Sequence, residues 1–271
     1  MEAKIYPSRN CTTVISGSSV SGESEGKILA DILSKQIDAN NNLTSCIYSP
    51  DSDVLIQSVL HSSSVTHVIN SFGAENLDTF TPSKFVSDLN EKFGFQSPNL
   101  QADFCFLMLL CGNDYLPPIR NTSLSTIWMA YEKFRPTLSQ NDFLYDLKLN
   151  SFNLRLIKEF AKFHIKTNPQ ISVLRSGKSD GKTFLEGMHW IINSYLMKTD
   201  CNYPNHLWNG VKGISIADLA SMEYESDFFD CTIREPSSLE ILPSTFGILV
   251  NIHLTEAIGS DGHKCFLAVF A

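Results

Sequence analysis

Five carboxylates have the types and spacing to do chemistry: Glu23, Glu25, Asp51, Asp53 and Asp114. They fall in three clusters, Gly22-Glu23-Ser24-Glu25, Pro50-Asp51-Ser52-Asp53 and Gly112-Asn113-Asp114-Tyr115-Leu116-Pro117, each following or ending a short apolar run. Carboxylates of ordinary pKa are ionised at neutral pH. Two unit charges about 4 Å apart at an effective dielectric of ~20 repel by roughly 4 kcal/mol. A fold that gathers these acids is therefore stable only around cations. Oxygen ligands suit hard divalent ions, Mg²⁺ or Mn²⁺, and a pair of such ions suits in-line attack of water on a phosphodiester. Taken singly, each cluster has a plainer reading. A D-x-D is commonly a solvated turn, and two glutamates before an amphipathic run are commonly helix-start charges that complement the dipole. Joint occurrence in this order, each cluster beside a buried element, is what points to a site.

The elements that must position these acids read as follows. Cys11 to Ser16 is β-branched and predicts a strand, followed by a small-residue loop over 17–22. Ile28, Leu29, Ile32, Leu33 and Ile37 recur at helical spacing, with Ser21 as N-cap. Cys46-Ile47-Tyr48 predicts a second strand running into Pro50, and Val54 to His61 reads as a helix or a strand. Strand, acidic loop, helix, strand, acidic loop is the order of an α/β sheet, whose ligands gather at the carboxyl ends of strands. Phe104 to Cys111 is wholly apolar, and periodicity leaves strand and helix both open. Gly112 ends that run and Pro117-Pro118 prevents its continuation, so Asp114 sits on a tight loop beside the core.

Beyond residue 120 the texture becomes helical. Leu154, Ile157 and Ala161 share one face, and Phe184 to Met197 carries a broad apolar stripe. Arg175 to Lys182 has the composition of a flexible linker. Residues 198–243, with Pro204, Pro236 and Pro243, read as mostly irregular. The expected organisation is an α/β part over 1–120 and a mainly α-helical extension over 121–271, partly irregular after 198.

A chain of 271 residues, 43% hydrophobic and 18% charged, is an ordinary globular protein. Its net charge of −8 and pI of about 5.3 argue against binding nucleic acid by overall charge. Seven cysteines without a C-x-x-C pair read as thiols in a reducing compartment. No apolar run has the length of a membrane span. The expectation is a soluble intracellular protein, nuclear or cytoplasmic, with no membrane partner. None of the seven histidines has metal-ligand spacing, and most read as surface or helix-face residues. Trp128 and Trp190 read as core.

Three segments, Ser16 to Ile28 (SGSSVSGESEGKI), Tyr48 to Leu55 (YSPDSDVL) and Asp103 to Pro117 (DFCFLMLLCGNDYLP), together resemble the Xrn-type 5′→3′ exoribonucleases of the PIN-like, flap-endonuclease superfamily. That family has G-E-x-E, D-x-D and G-N-D-[FY]-L-P motifs in this order. Phe184 to Leu196 (FLEGMHWIINSYL) resembles its helical segment with a central tryptophan, and Leu239 to Pro243 resembles a later stretch more distantly.

The resemblance implies the C-terminal portion of a PIN-like nuclease sheet followed by the helical extension. It implies that Glu23, Glu25, Asp51, Asp53 and Asp114 are the catalytic, metal-binding carboxylates for two Mg²⁺ or Mn²⁺ ions. The implied substrate is single-stranded RNA with a 5′-monophosphate, released as mononucleotides. Lys27, Asn113 and Tyr115 are candidate substrate contacts, with Trp208 a further candidate for base stacking. The family's preceding nuclease segment, with further aspartates and a basic 5′-phosphate pocket, is expected to come from elsewhere in the same gene or from another chain. The 271 residues alone are expected to be weak or inactive. Two other readings stand beside this one. A structure-specific flap endonuclease on DNA shares the first two motifs, and a non-catalytic nucleic-acid-binding remnant could keep the fold.

Overall fold

The computed structural model describes residues 4–7, 12–15, 24–38, 44–70, 78–120, 122–168, 181–197, 213–224, 228–229 and 265–269. It is a mixed α/β protein whose packing forms two compact units, which part between Pro82 and Ser83. The sequence texture, by contrast, changes near residue 120.

In the first unit, β1 (Lys4–Pro7) and β2 (Thr12–Ile15) form an antiparallel hairpin. The amphipathic run predicted after the first acidic cluster is α1 (Ser24–Asp38), followed by β3 (Thr44–Tyr48) and α2 (Ser52–Leu60). Next come β4 (His67–Asn70) and β5 (Asp78–Phe80). The four-stranded sheet has the order β5-β4-β3-β9, where β9 is Cys265–Val269. β3 runs parallel to both β4 and β9, and β5 is antiparallel to β4. The alternating expectation is thereby corrected at its first strand: β2 pairs with β1, and the neighbour of β3 opposite β4 is β9. Ile28 and Leu29 of α1, Ile47 of β3, Val54 of α2, Val65 and Val68 form the core, with Ile32, Leu33 and Leu55 against it. Each fully buried aliphatic side chain contributes roughly 1.5–3 kcal/mol.

The second unit holds α3 (Pro82–Phe93), α4 (Pro98–Leu109) and α5 (Leu124–Phe134), the last running into a 3-10 turn at Arg135–Thr137. β6 (Tyr145–Asp146) and β7 (Ser151–Asn153) lead to α6 (Leu154–Thr167) and α7 (Gly181–Tyr195). α8 (Ile216–Ser221) and β8 (Phe228–Phe229) follow, with β6-β7-β8 an antiparallel sheet. The apolar run at 104–111 resolves to the helix α4. It holds no β-branched residue, and its Leu and Met residues favour a helix. Its start is set by Ser97, whose hydroxyl accepts the Asn99 N–H at 3.2 Å, with Pro98 in the first turn. Residues are buried around the whole helix, as expected of one that is apolar all round.

One expectation needs correction here. Gly181 and Lys182, read as the end of a linker, form the first turn of α7, while 175–180 lie outside the described residues. Within the stretch read as mostly irregular, Ser215 and Asp218 form a capping box that starts α8.

Candidate functional site

The D-x-D motif is built by a strand end and a helix start. β3 finishes at Tyr48, and the Ser49 N–H continues the parallel pairing by donating to the Ile69 carbonyl at 3.1 Å. The chain then turns at Pro50 and enters α2. Asp51 is the N-cap: its Oδ1 accepts the Asp53 N–H at 2.9 Å, while its own N–H donates to Ser49 Oγ at 3.1 Å. Asp53 lies in the first turn of the helix. Both carboxylates are half-buried at the carboxyl end of a parallel strand, where α/β sheets place ligands. The same geometry also satisfies a plain helix cap, so Asp51 has a structural task whatever else it does.

Glu25 occupies the first turn of α1 and is half-buried. With Ile28, Leu29, Ile47, Val54, Gln57, Ser58 and Val65 it lines a crevice between α1, β3 and α2. Glu25 thus faces the crevice that also meets Val54, the residue after Asp53. Lys27 is partly desolvated, which lowers its pKa, and the Glu25 charge opposes that shift. Glu23 and the proposed cap Ser21 lie outside the described residues.

Asp114 belongs to the second unit. Its loop is tightly specified. Gly112 sits at φ +86°, and a Cβ there would meet Pro118 N at 2.7 Å, so only glycine fits without displacing backbone. Asn113 Oδ1 accepts the Tyr115 and Leu116 N–H groups at 3.1 and 2.9 Å, and the Asn113 N–H donates to the Leu116 carbonyl at 3.0 Å. The Ile119 N–H then donates to the Leu110 carbonyl and the Arg120 N–H to the Ile214 carbonyl, both at 2.8 Å. Asp114 is left exposed at the tip.

This loop leans on α7. Asn113 Nδ2 donates to the Tyr195 hydroxyl at 3.3 Å. The Tyr115 ring meets Trp190 edge-on, centroids 5.1 Å apart, and Trp190 is buried. Asn113 and Tyr115, the residues expected to touch substrate, also hold the loop in shape. Trp208, the stacking candidate, lies outside the described residues.

The described acids divide between the units: Glu25, Asp51 and Asp53 in the first, Asp114 in the second. Among the described residues, no three His, Cys, Asp or Glu side chains are grouped to hold one metal ion. The donor set itself, carboxylates alone, suits a hard divalent cation. With one Asp51 oxygen committed to the cap, the second oxygen remains for a ligand.

Sequence reasoning gave no role to the most perturbed carboxylate among the described residues. Asp103 on α4 is wholly buried, and burial raises its pKa to about 7 against the pull of Tyr131, the Tyr145 and Leu144 N–H groups and Arg135. An aspartate at the head of an apolar run was the available signal. Arg135 is also buried, with its guanidinium 4.8 and 4.7 Å from the Phe95 and Phe143 rings. Two of the histidines, read as surface or helix-face residues, lie on buried helix faces. His164 lies between Thr122 and Asn168, and His189 bonds the Asn150 carbonyl.

Residues 2–71 match the family described as XRN 5'-3' exonuclease N-terminus. The matched segment includes the G-E-S-E and D-S-D motifs and stops before G-N-D-Y-L-P. No curated protein matches the chain.

Proposed function

We propose, from the match of residues 2–71 to the family described as XRN 5'-3' exonuclease N-terminus, that the chain supplies carboxylate ligands for metal-dependent hydrolysis of 5′-monophosphorylated single-stranded RNA. The observation that carries this reading is Asp51 and Asp53 at the carboxyl end of the parallel strand β3, inside the matched segment. Glu23, Glu25, Asp51, Asp53 and Asp114 are the proposed ligands of two Mg²⁺ or Mn²⁺ ions, in a sheet of PIN-like type. Bound there, the ions supply a water of lowered pKa and stabilisation of the leaving oxygen. The carboxylates act as ligands rather than bases. Asp51 and Asp53 are oriented by the start of α2, Asp114 by the Asn113 turn, and Lys27 stands beside Glu25 where a phosphate can be met. The proposed setting is RNA degradation or processing in nucleus or cytoplasm.

The test uses a substitution that spares the fold. Asn at positions 51 and 53 keeps an oxygen that can cap α2 while removing both charges. Calorimetric titration of the full chain with Mn²⁺ should show saturable binding that Asp51→Asn/Asp53→Asn loses. Any Mn²⁺-dependent degradation of 5′-monophosphorylated RNA should fall with it. A wild-type chain that takes up no Mn²⁺, or RNA turnover unchanged in the double variant, overturns the reading. Preference for a flap DNA over single-stranded RNA overturns the substrate assignment.

A further inference from the structure

One face of α6 is a row of cations. Arg155, Lys158, Lys162 and Lys166 are spaced by three, four and four residues. At 3.6 residues per turn they fall within an arc of roughly 80° and run about 16 Å along the axis. The opposite face, Leu156, Ile157, Phe160, Ala161 and His164, is buried. Phe160 packs on the Tyr131 and Phe134 rings of α5, so the row stands on a rigid support. Arg155 pairs with Glu159 at 3.3 Å. Lys162 and Lys166 are exposed and have no hydrogen bond or ion pair among the described residues. Elsewhere on the surface, Lys35 pairs with Asp31 and Lys92 with Glu132. In a chain of net charge −8, this concentration of positive charge departs from the overall balance.

We infer that this face of α6 is a docking surface for the phosphate backbone of single-stranded RNA, with Tyr224 at its edge as a platform for a base. The inference rests on the RNA reading above but uses none of its carboxylates. Charge complementarity favours a polyanion, and lysines one helical turn apart, about 6 Å, can neutralise successive phosphates. The occupant is narrowed by the aromatic. Lys158 Nζ stands 5.2 Å from the centroid of the half-buried Tyr224 ring, and a basic row beside an aromatic is the pattern that grips single strands. Insertion into a bilayer would need large apolar side chains exposed on α6, and among the described residues it has none.

The test measures binding of a fluorescent single-stranded oligouridylate to the full chain in EDTA, where metal-dependent contacts play no part. Lys162→Gln/Lys166→Gln should weaken binding about tenfold at low salt and lower the log–log salt slope by about 0.7 per lysine. Tyr224→Leu should weaken binding without changing that slope. Lys84→Gln/Lys148→Gln, with the same change in net charge, should bind as wild type. Unchanged binding in the α6 variant, equal loss in the control, or no binding by the wild-type chain overturns the inference. So does a variant that loses anionic phosphatidylserine vesicles while keeping RNA. The nuclease reading survives each of these results, because Mn²⁺ uptake judges it separately.

Discussion

The Tyr131 hydroxyl on α5 donates to Asp103 Oδ2 on α4 at 2.6 Å, and the same carboxylate takes the Leu144 and Tyr145 N–H groups on Oδ1 at 2.8 and 3.0 Å. Three donors converge on one wholly buried acid, fastening two helices to the start of β6. The three hydrogen bonds favour the charged form and burial opposes it. Burial is the larger effect, and the pKa stands at about 7 rather than 3.8.

That shift makes stability depend on pH in a definite direction. Folded Asp103 holds its proton up to about pH 7, whereas the unfolded side chain releases it near 3.8. Its contribution is fully present below the unfolded value and is lost as pH rises through the folded one. A difference of this size is on the order of 4 kcal/mol across the window. The melting temperature of wild type should therefore fall relative to Asp103→Asn between about pH 4 and 7. Parallel curves for the two proteins would show that Asp103 does not titrate in this range.

His164 should behave in the opposite sense. Burial lowers its pKa, so its contribution is present above the unfolded value and lost as pH falls below it. Its ring stacks on Phe160, with Nε2 3.0 Å from Thr122 Oγ1 and Nδ1 3.1 Å from Asn168 Nδ2. A bond donated by Asn168 Nδ2 to Nδ1 leaves the ring proton on Nε2, facing Thr122. Long-range ¹H–¹⁵N spectra should show the Nε2–H tautomer persisting to lower pH than for a free histidine; an Nδ1–H tautomer would contradict the geometry.

Two glycines separate backbone strain from collision. Gly94 has φ +75°, and a Cβ added there would stand in open space, whereas at Gly112, with φ +86°, it would lie 2.7 Å from Pro118 N. Gly94→Ala should cost about 1 kcal/mol, the conformational term alone. Gly112→Ala should cost clearly more, about 2–4 kcal/mol, as the Asp114 loop shifts. Equal losses in denaturant titrations would mean that the loop yields freely at Pro118.

The contact between Tyr115 and Trp190 should register as a coupling. In a double-mutant cycle with Tyr115→Leu and Trp190→Leu, the edge-on pair should contribute about 0.5–1.5 kcal/mol beyond lost burial. Strictly additive losses would mean that α7 does not support the loop through this pair.

Much of the local structure was legible in the residues themselves. Apolar periodicity marked α1, α6 and α7, and the short run Cys46–Tyr48 before Pro50 marked β3. The three acidic motifs stood out because each follows or ends a short apolar run. Other features rest on contacts far apart in the chain. Gly181 and Lys182 have linker composition, yet they open α7. Asp103 looks like the polar edge of an apolar run until Tyr131, Leu144 and Tyr145 close around it.

By itself, the order of residues determined helix spacing, caps and the tight turn at Gly112, since these depend on neighbours within a few positions. It also carried the G-E-S-E and D-S-D motifs, which lie inside the segment, residues 2–71, that matches the family described as XRN 5'-3' exonuclease N-terminus. Only the tertiary structure decided that β9 lies beside β3, that the packing parts near Pro82, and that Asp103 and His164 are buried among their partners. Strand pairing and burial are set by which distant apolar surfaces meet, and no local pattern encodes that choice.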